Sequence, residues 1–418
     1  MFFAFSLFAE DFFPFVDRNF SPFSGASNIL LLEGGVEKIE NSLFLPRQSP
    51  GLERLSDFTQ TTPFIEEKWS RKFRNLFFWI PAAASLAVTQ HEIFGHGYRI
   101  RDLGPKYAAV EGYKMYGVAG ETNFSMTPNL TVSQMIAITI AGLEADAILG
   151  NRIRMHWMRN GCLDPRLASL YIISSKTLFS YSLSVRDTAA FIPDEGNDIA
   201  GYLFFLNKLY PEGHVSYRAL RNFSLISFLD PFLFFSSWSG LRYEKSGEST
   251  PISLFKIGSI QYIPALRGIL TPFGLQGIWD NFFLKGTTPA CAYVKWGKNG
   301  PNVYWGFGFE SQEVFKWPIA TLGFRLDVWH QPNVLFKKGV ISLDDMMEES
   351  NECHVPLYSQ EVLNEKRFGV LASLTGTIGK ETWAARPYYE LGYKTKGYLP
   401  GEALRQAPII RLGLAGAF

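Results

Sequence analysis

The stretch Gln90-His91-Glu92-Ile93-Phe94-Gly95-His96-Gly97 puts two of the chain's six histidines and a glutamate side by side. Directly before it runs Leu76 to Val88, which is apolar apart from Ser85 and carries Pro81. Such a run reads as a mostly buried helix, with the proline in an early turn or at a kink. A carboxylate and two imidazoles on or just beyond a buried helix cost on the order of several kcal/mol unless they are paired, hydrogen-bonded or bound to a cation. Two kinds of chemistry therefore fit these residues. They could hold a metal ion, or they could form a buried hydrogen-bonded network that braces a helix end, with Gly95 and Gly97 as stop signals.

The stretch resembles the zincin metallopeptidases, whose H-E-x-x-H helix carries two zinc-binding histidines one turn apart and a glutamate that activates water. Here one extra residue separates the histidines. On a regular helix, at about 100° per residue, their side chains would point roughly 140° apart instead of about 40°. A π-bulge within Ile93 to Gly95 would absorb the extra residue, and such bulges tend to sit at functional sites. A regular helix would instead make Glu92 and His96, one turn apart, the metal-binding pair, and Glu92 could then not act as the base.

What the resemblance implies is zinc bound by His91 and His96, Glu92 as general base, and a third ligand further along. Glu144, in Ala141-Gly142-Leu143-Glu144-Ala145-Asp146-Ala147, fits that place. The segment resembles the second helix of several membrane-associated zincins, where an acidic ligand is followed by Ala-Asp, although the gap is shorter here. Only these two patches carry the resemblance.

The elements that must position these residues can be read from patterning. Thr131 to Arg154 predicts a helix capped by Thr127 or Thr131, with Arg152 and Arg154 suited to its C-terminal dipole. On it Glu144 and Asp146 lie about 200° apart, so only one of them can face the motif helix, and Glu144 is expected there. His156, further along, reads as a helix-end partner. Tyr107 to Phe124, punctuated by glycines, predicts a hairpin. Ile29 to Gly35 suggests a strand closing in a turn. Leu167 to Val185 and Ala200 to Leu209 predict helices. Between them the acidic cluster Pro193-Asp194-Glu195-Gly196-Asn197-Asp198 could bind a cation, but reads more simply as caps and dipole partners for the helix that follows. Phe223 to Trp238, broken at Asp230-Pro231, predicts two short helices.

From about Pro251 the hydrophobic period changes from that of a helix to that of a strand. In Leu322-Gly323-Phe324-Arg325-Leu326-Asp327-Val328 every second residue is apolar, and Phe368 to Ile378, Pro387 to Lys394 and Ile410 to Phe418 repeat the pattern. Glycine-rich alternating segments of this kind signal an antiparallel barrel whose faces meet different solvents. The last segment resembles the final strand of bacterial outer-membrane barrels, with Phe418 at the end and Leu414, Leu412 and Ile410 on one face. Gly416 departs from the apolar residue usual there. About eight strands are expected, enough for a small closed barrel. A soluble β-sandwich would show similar alternation. Ser342 to Asn364 reads as a long acidic loop.

Composition narrows the classes. A net charge of +1 with no basic stripe argues against a nucleic-acid partner, and 16% aromatic residues favour a membrane setting. Cys162, Cys291 and Cys353 form no C-x-x-C pair, so neither a thiolate zinc site nor a disulfide framework is indicated. The organisation expected is α+β: an apolar leader or truncated signal peptide over 1–22, an α-rich domain with the metal site over 23–248, and an antiparallel barrel over 249–418.

The function expected is a zinc-dependent, peptidase-like hydrolase in the outer membrane of a bacterial envelope, with membrane lipid and a peptide or protein substrate as partners. A non-enzymatic barrel or surface protein with a structural His/Glu cluster is the alternative. An inner-membrane intramembrane protease fits less well, because the C-terminal period is that of strands.

Overall fold

A computed structural model describes residues 11–12, 14–44, 63–185, 197–246, 249–336, 360–380, 383 and 385–417. It is an α+β protein in which a helical N-terminal region is followed by an antiparallel C-terminal sheet. Two short strands, β1 (Asp11–Phe12) and β2 (Phe15–Asp17), precede α1 (Pro22–Phe44) and α2 (Pro63–Arg74). A π turn at Asn75–Trp79 leads into α3 (Ile80–His91), and a second at Glu92–His96 leads into α4 (Gly97–Leu103). Pro81 has no amide to give the Phe77 carbonyl, and the wider first turn lies directly before it. The stretch Ile29 to Gly35, expected as a strand, lies inside α1. Its run of apolar residues was too short to separate the two periods.

The expected hairpin is β3 (Ala108–Tyr116) with β4 (Ala119–Met126). The expected helix at Thr131 is two helices, α5 (Val132–Thr139) and α6 (Ala141–Asn160), bent by 43°. Thr131 caps α5 through a reciprocal box with Gln134. Because α6 continues to Asn160, Arg154 lies inside the helix. There it pairs with Asp230 (2.8 Å) and Asp280 (3.4 Å), not with a helix end as expected. After β5 (Cys162–Leu163) come α7 (Pro165–Ser184), α8 (Asp198–Leu209) and α9 (Tyr217–Ser224), a 3₁₀ turn at Leu225–Leu229, and α10 (Pro231–Ser246). Among the described residues no single helix is long and apolar enough to cross a membrane. Only the bent α5–α6 pair meets that test.

Beyond β6 (Thr250–Pro251) the sheet is a meander of β7 (Phe255–Ile257), β8 (Ile260–Thr271), β9 (Gly274–Lys285), β10 (Thr288–Asn299), β11 (Asn302–Trp317), β12 (Ala320–Pro332), β13 (Lys366–Ile378), β14 (Arg386–Lys394) and β15 (Ala407–Ala417). The sheet does not close into the barrel expected from the sequence: among the described residues β7 and β1 end the order and are not bonded to each other. The free edge of β15 is taken by β1 and β2, while the Leu225–Leu229 turn and α10 stand against β8. Met1 to Ala9 lie outside the described residues. So does most of the acidic loop, whose last residues, Gln360–Asn364, form a short helix.

Sheet polarity is the reverse of a water-soluble sandwich. Asp280, Lys295, Asp327, Glu390 and Arg411 are buried, whereas Trp279, Trp296, Phe307, Leu374 and Leu412 are exposed. The buried charges find partners on the same side, as Arg411 does with Asp17, Glu390 and Glu402. One apolar core joins α1, α3, α6, α7 and α10 to residues from both ends of the sheet, including Ile263, Phe282, Tyr388 and Ala415. A second packs α4, α5 and α8 against Leu270, Phe273 and Tyr304.

Candidate metal centre

The extra residue between the histidines is taken up by a π turn, one of the two readings that their spacing left open. The Gly97 amide donates to the Glu92 carbonyl, five residues back instead of four, so Glu92 to His96 form one wide turn. Carbonyls of that turn also accept from side chains outside it: Arg101 Nη2 donates to Ile93 O (2.7 Å) and Thr122 Oγ1 to Glu92 O (3.1 Å). Glycines let the turn press against α6. A Cβ on Gly95 would lie 2.7 Å from both Ala141 O and Gly142 Cα, and one on Gly142 would collide with the His91 ring.

With the turn widened, the two imidazoles face one point. Their Nε2 atoms are 3.3 Å apart, and Asp198 Oδ2 lies 2.9 Å from His91 Nε2 and 3.2 Å from His96 Nε2. Ligands about 2.0–2.1 Å from a tetrahedral ion stand about 3.3–3.4 Å from one another, so the triangle is close to the size zinc requires. The far side of each ring is also engaged. His91 Nδ1 is 2.9 Å from Asp146 Oδ2, and His96 Nδ1 is 2.8 Å from the Ile138 carbonyl. A carbonyl only accepts, so His96 Nδ1 carries the hydrogen. That leaves Nε2 of the neutral ring as an acceptor aimed at Asp198. A carboxylate or carbonyl behind each ligating histidine is the usual support of a metal site.

Three acceptors this close repel one another unless a cation lies among them. In the metal-free chain protons fill that role. Burial alone would lower the His91 and His96 pKa values, but Asp146 and Asp198 outweigh it and raise both above the ordinary 6.5. Burial likewise pushes Asp198 up, and the two rings pull it well below its ordinary value. The donor set of two imidazoles and a carboxylate suits zinc. His91, His96 and Asp198 are a group able to hold a metal ion. Glu33, Glu37 and Asp164 form another among the described residues, with no imidazole in it.

Of the residues picked from the sequence, His91 and His96 come together and Glu92 stands beside them. Its carboxylate accepts from Thr122 Oγ1 (2.7 Å), and its charge acts on His96. Glu144 is elsewhere. It accepts from Arg99 Nη2 (2.6 Å), the Tyr398 hydroxyl (3.2 Å) and the Gly401 amide, and so ties α6 to α4 and to the loop before β15. The α6 carboxylate that faces the motif is Asp146, the other member of the pair. In the third-ligand position stands Asp198. Asn197 caps α8 by accepting from the amides of Ile199 and Ala200, which frees the Asp198 side chain for the histidines. Its signal was the acidic cluster before α8, whose residues 193–196 lie outside the described structure. Tyr181 completes the surroundings by stacking on His91 at 5.6 Å.

Two outcomes test this arrangement. Asp198→Ala lowers zinc affinity by about 100-fold or more, whereas Glu144→Ala keeps zinc and loses about 3–5 kcal/mol of stability from the broken Arg99 pair. Titration with a zinc indicator and chemical denaturation read the two effects, and equal zinc loss in both variants would refute the assignment. The second outcome concerns pH. Raised histidine pKa values stabilise the metal-free chain fully below 6.5, and that support is lost as pH rises through the folded values. The depressed Asp198 contributes above its ordinary 3.8 and loses its effect as pH falls through its folded value. Zinc must displace the ring protons, so the rise in melting temperature on adding zinc is larger at about pH 8.5 than at about pH 6. A pH-independent rise contradicts this.

Comparison of the chain with family models, with curated proteins and with solved structures finds no match, so the site stands on its own geometry.

Proposed function

We propose that the chain is a zinc-dependent hydrolase, peptidase-like in its chemistry, embedded in the outer membrane of a bacterial envelope. The observation that carries the reading is the convergence of His91 Nε2, His96 Nε2 and Asp198 Oδ2, with Glu92 next to the first ligand in the chain. Zinc held there would supply a Lewis acid that polarises a carbonyl and makes water acidic near neutral pH. Glu92 is the general base: buried, next in sequence to His91 and oriented by Thr122, it takes the proton of the attacking water and passes it to the leaving group. Asp146 and the Ile138 carbonyl hold the rings so that Nε2 of each faces Asp198. Strand β4 runs beside the Glu92–His96 turn, where an extended peptide chain could lie along the hairpin. The outward apolar face of the sheet supports the membrane setting.

A second reading has an observation of its own. His91 is already ion-paired with both Asp146 and Asp198, a charge cluster that protons alone could neutralise in a non-enzymatic membrane or surface protein. Glu92→Gln separates the two. The zinc-loaded variant in detergent is expected to keep its metal and to cleave a quenched fluorogenic peptide library about 10²–10⁴-fold more slowly than the parent. A parent chain that holds no zinc, or one whose cleavage is unchanged by Glu92→Gln, overturns the hydrolase.

A further inference from the structure

The sheet is open, yet its two edges are not simply left to solvent. At one end the Leu225–Leu229 turn and α10 pack on β8, and at the other α1 packs on β1 and β2. Between these ends the helices are bonded to one another. Asn75 Nδ2 donates to Glu244 Oε1 of α10 (3.0 Å), and Glu40 of α1 accepts from Arg74 Nε (2.6 Å) and Trp79 Nε1 (3.0 Å). The circuit therefore runs from β8 through α10, the end of α2 and α1 back to β15.

Apolar side chains point outward along this whole circuit. On the helical part Phe73, Phe77, Phe234 and Trp238 are each more than 60% exposed, and on the strands Phe368 and Leu412 are more than half exposed. Monomeric soluble proteins rarely show apolar patches beyond a few hundred Å². Meanwhile the interior carries ion pairs such as Arg325–Asp327 and Arg154–Asp230, which are costly to desolvate. A chain folded for water would exchange these two faces.

We propose that the outward face of the sheet together with the outer faces of α2, the Asn75–Trp79 turn and α10 forms one lipid-facing belt. The wall meeting the bilayer is part strand and part helix, and the helices fill the gap that keeps the strands from closing. This rests on the membrane half of the reading above and is independent of its hydrolytic half. Strands β11, β12 and β13 have 16, 13 and 13 residues, more than the ~9–11 that a tilted strand needs to cross. The occupant is lipid and not a second copy, because both ends of the sheet pack on the same core around α6. Their outward faces then look in different directions, and no single flat partner covers them.

Photocrosslinking in phosphatidylcholine vesicles tests the belt. Phe77, Phe234, Phe307 and Leu412, all exposed, are replaced one at a time in the full chain by benzoylphenylalanine, with buried Ser373 as the inward control. Expected are lipid adducts at all four positions and none at Ser373. Adducts at Phe307 and Leu412 alone would overturn the mixed wall while leaving membrane insertion in place. Crosslinks to a second copy, or a chain that stays in solution without detergent, would overturn the belt and the membrane setting together. Zinc content, measured on the same preparations, reports on the hydrolase separately. Quenching of the native tryptophans by brominated lipid, compared with the Trp238→Phe chain, gives a second reading without a bulky probe: quenching that falls when the exposed α10 tryptophan is replaced supports the belt, and quenching that is absent or unchanged by the replacement refutes it.

Discussion

The π turn Glu92–His96, in which the Gly97 amide donates to the Glu92 carbonyl, is the constraint that brings His91 and His96 together. On an α-helix His91 and His96 would diverge, and each buried ring would need its own partner. The longer bond widens one turn and brings both rings to Asp198. A wide turn is disfavoured in isolation, so something must hold it. Arg101 and Thr122 bond carbonyls at the turn, and Gly95 and Gly142 remove the side chains that would keep it off α6. Backbone geometry and helix packing are thus one constraint, and Glu92 inherits its place from it.

Electrostatics supplies the second layer. Asp146 and Ile138 fix the outer ring nitrogens, so the inner ones and the Asp198 carboxylate form a cluster of acceptors that demands positive charge. Protons or a divalent ion can provide it, and the two compete for the same atoms. That competition links metal binding to pH and to the stability of the helical half. Elsewhere in the molecule buried charge is handled differently. Arg411 pairs directly with Glu390 and Glu402, and Arg325 brings a second guanidinium to Glu402.

Much of this was legible in the sequence where a local pattern decides it. The histidine spacing offered a widened turn as one of two readings, Thr127 or Thr131 marked the start of a helix, and the alternation from Leu322 to Val328 a strand with two unlike faces. What could not be read depended on distant partners. Glu144 and Asp146 point to different sides of one helix, and only the position of Arg99 and the Gly401 loop shows which of them turns away from the histidines. Asp198 looked like a helix cap until Asn197, one residue earlier, proved to hold that role. Barrel closure failed as an expectation because strand patterning says nothing about which chain segment occupies the outer edge of β15. Here β1 and β2 arrive there from the other end of the chain.

The proposed chemistry requires two imidazoles and one carboxylate to share one ion. X-ray absorption at the zinc edge, on the full chain loaded with one equivalent of zinc, tests that most directly. Nitrogen and oxygen neighbours at about 2.0–2.1 Å, with the outer scattering of two imidazole rings, are expected. Sulfur neighbours, or the signature of fewer than two rings, would contradict it.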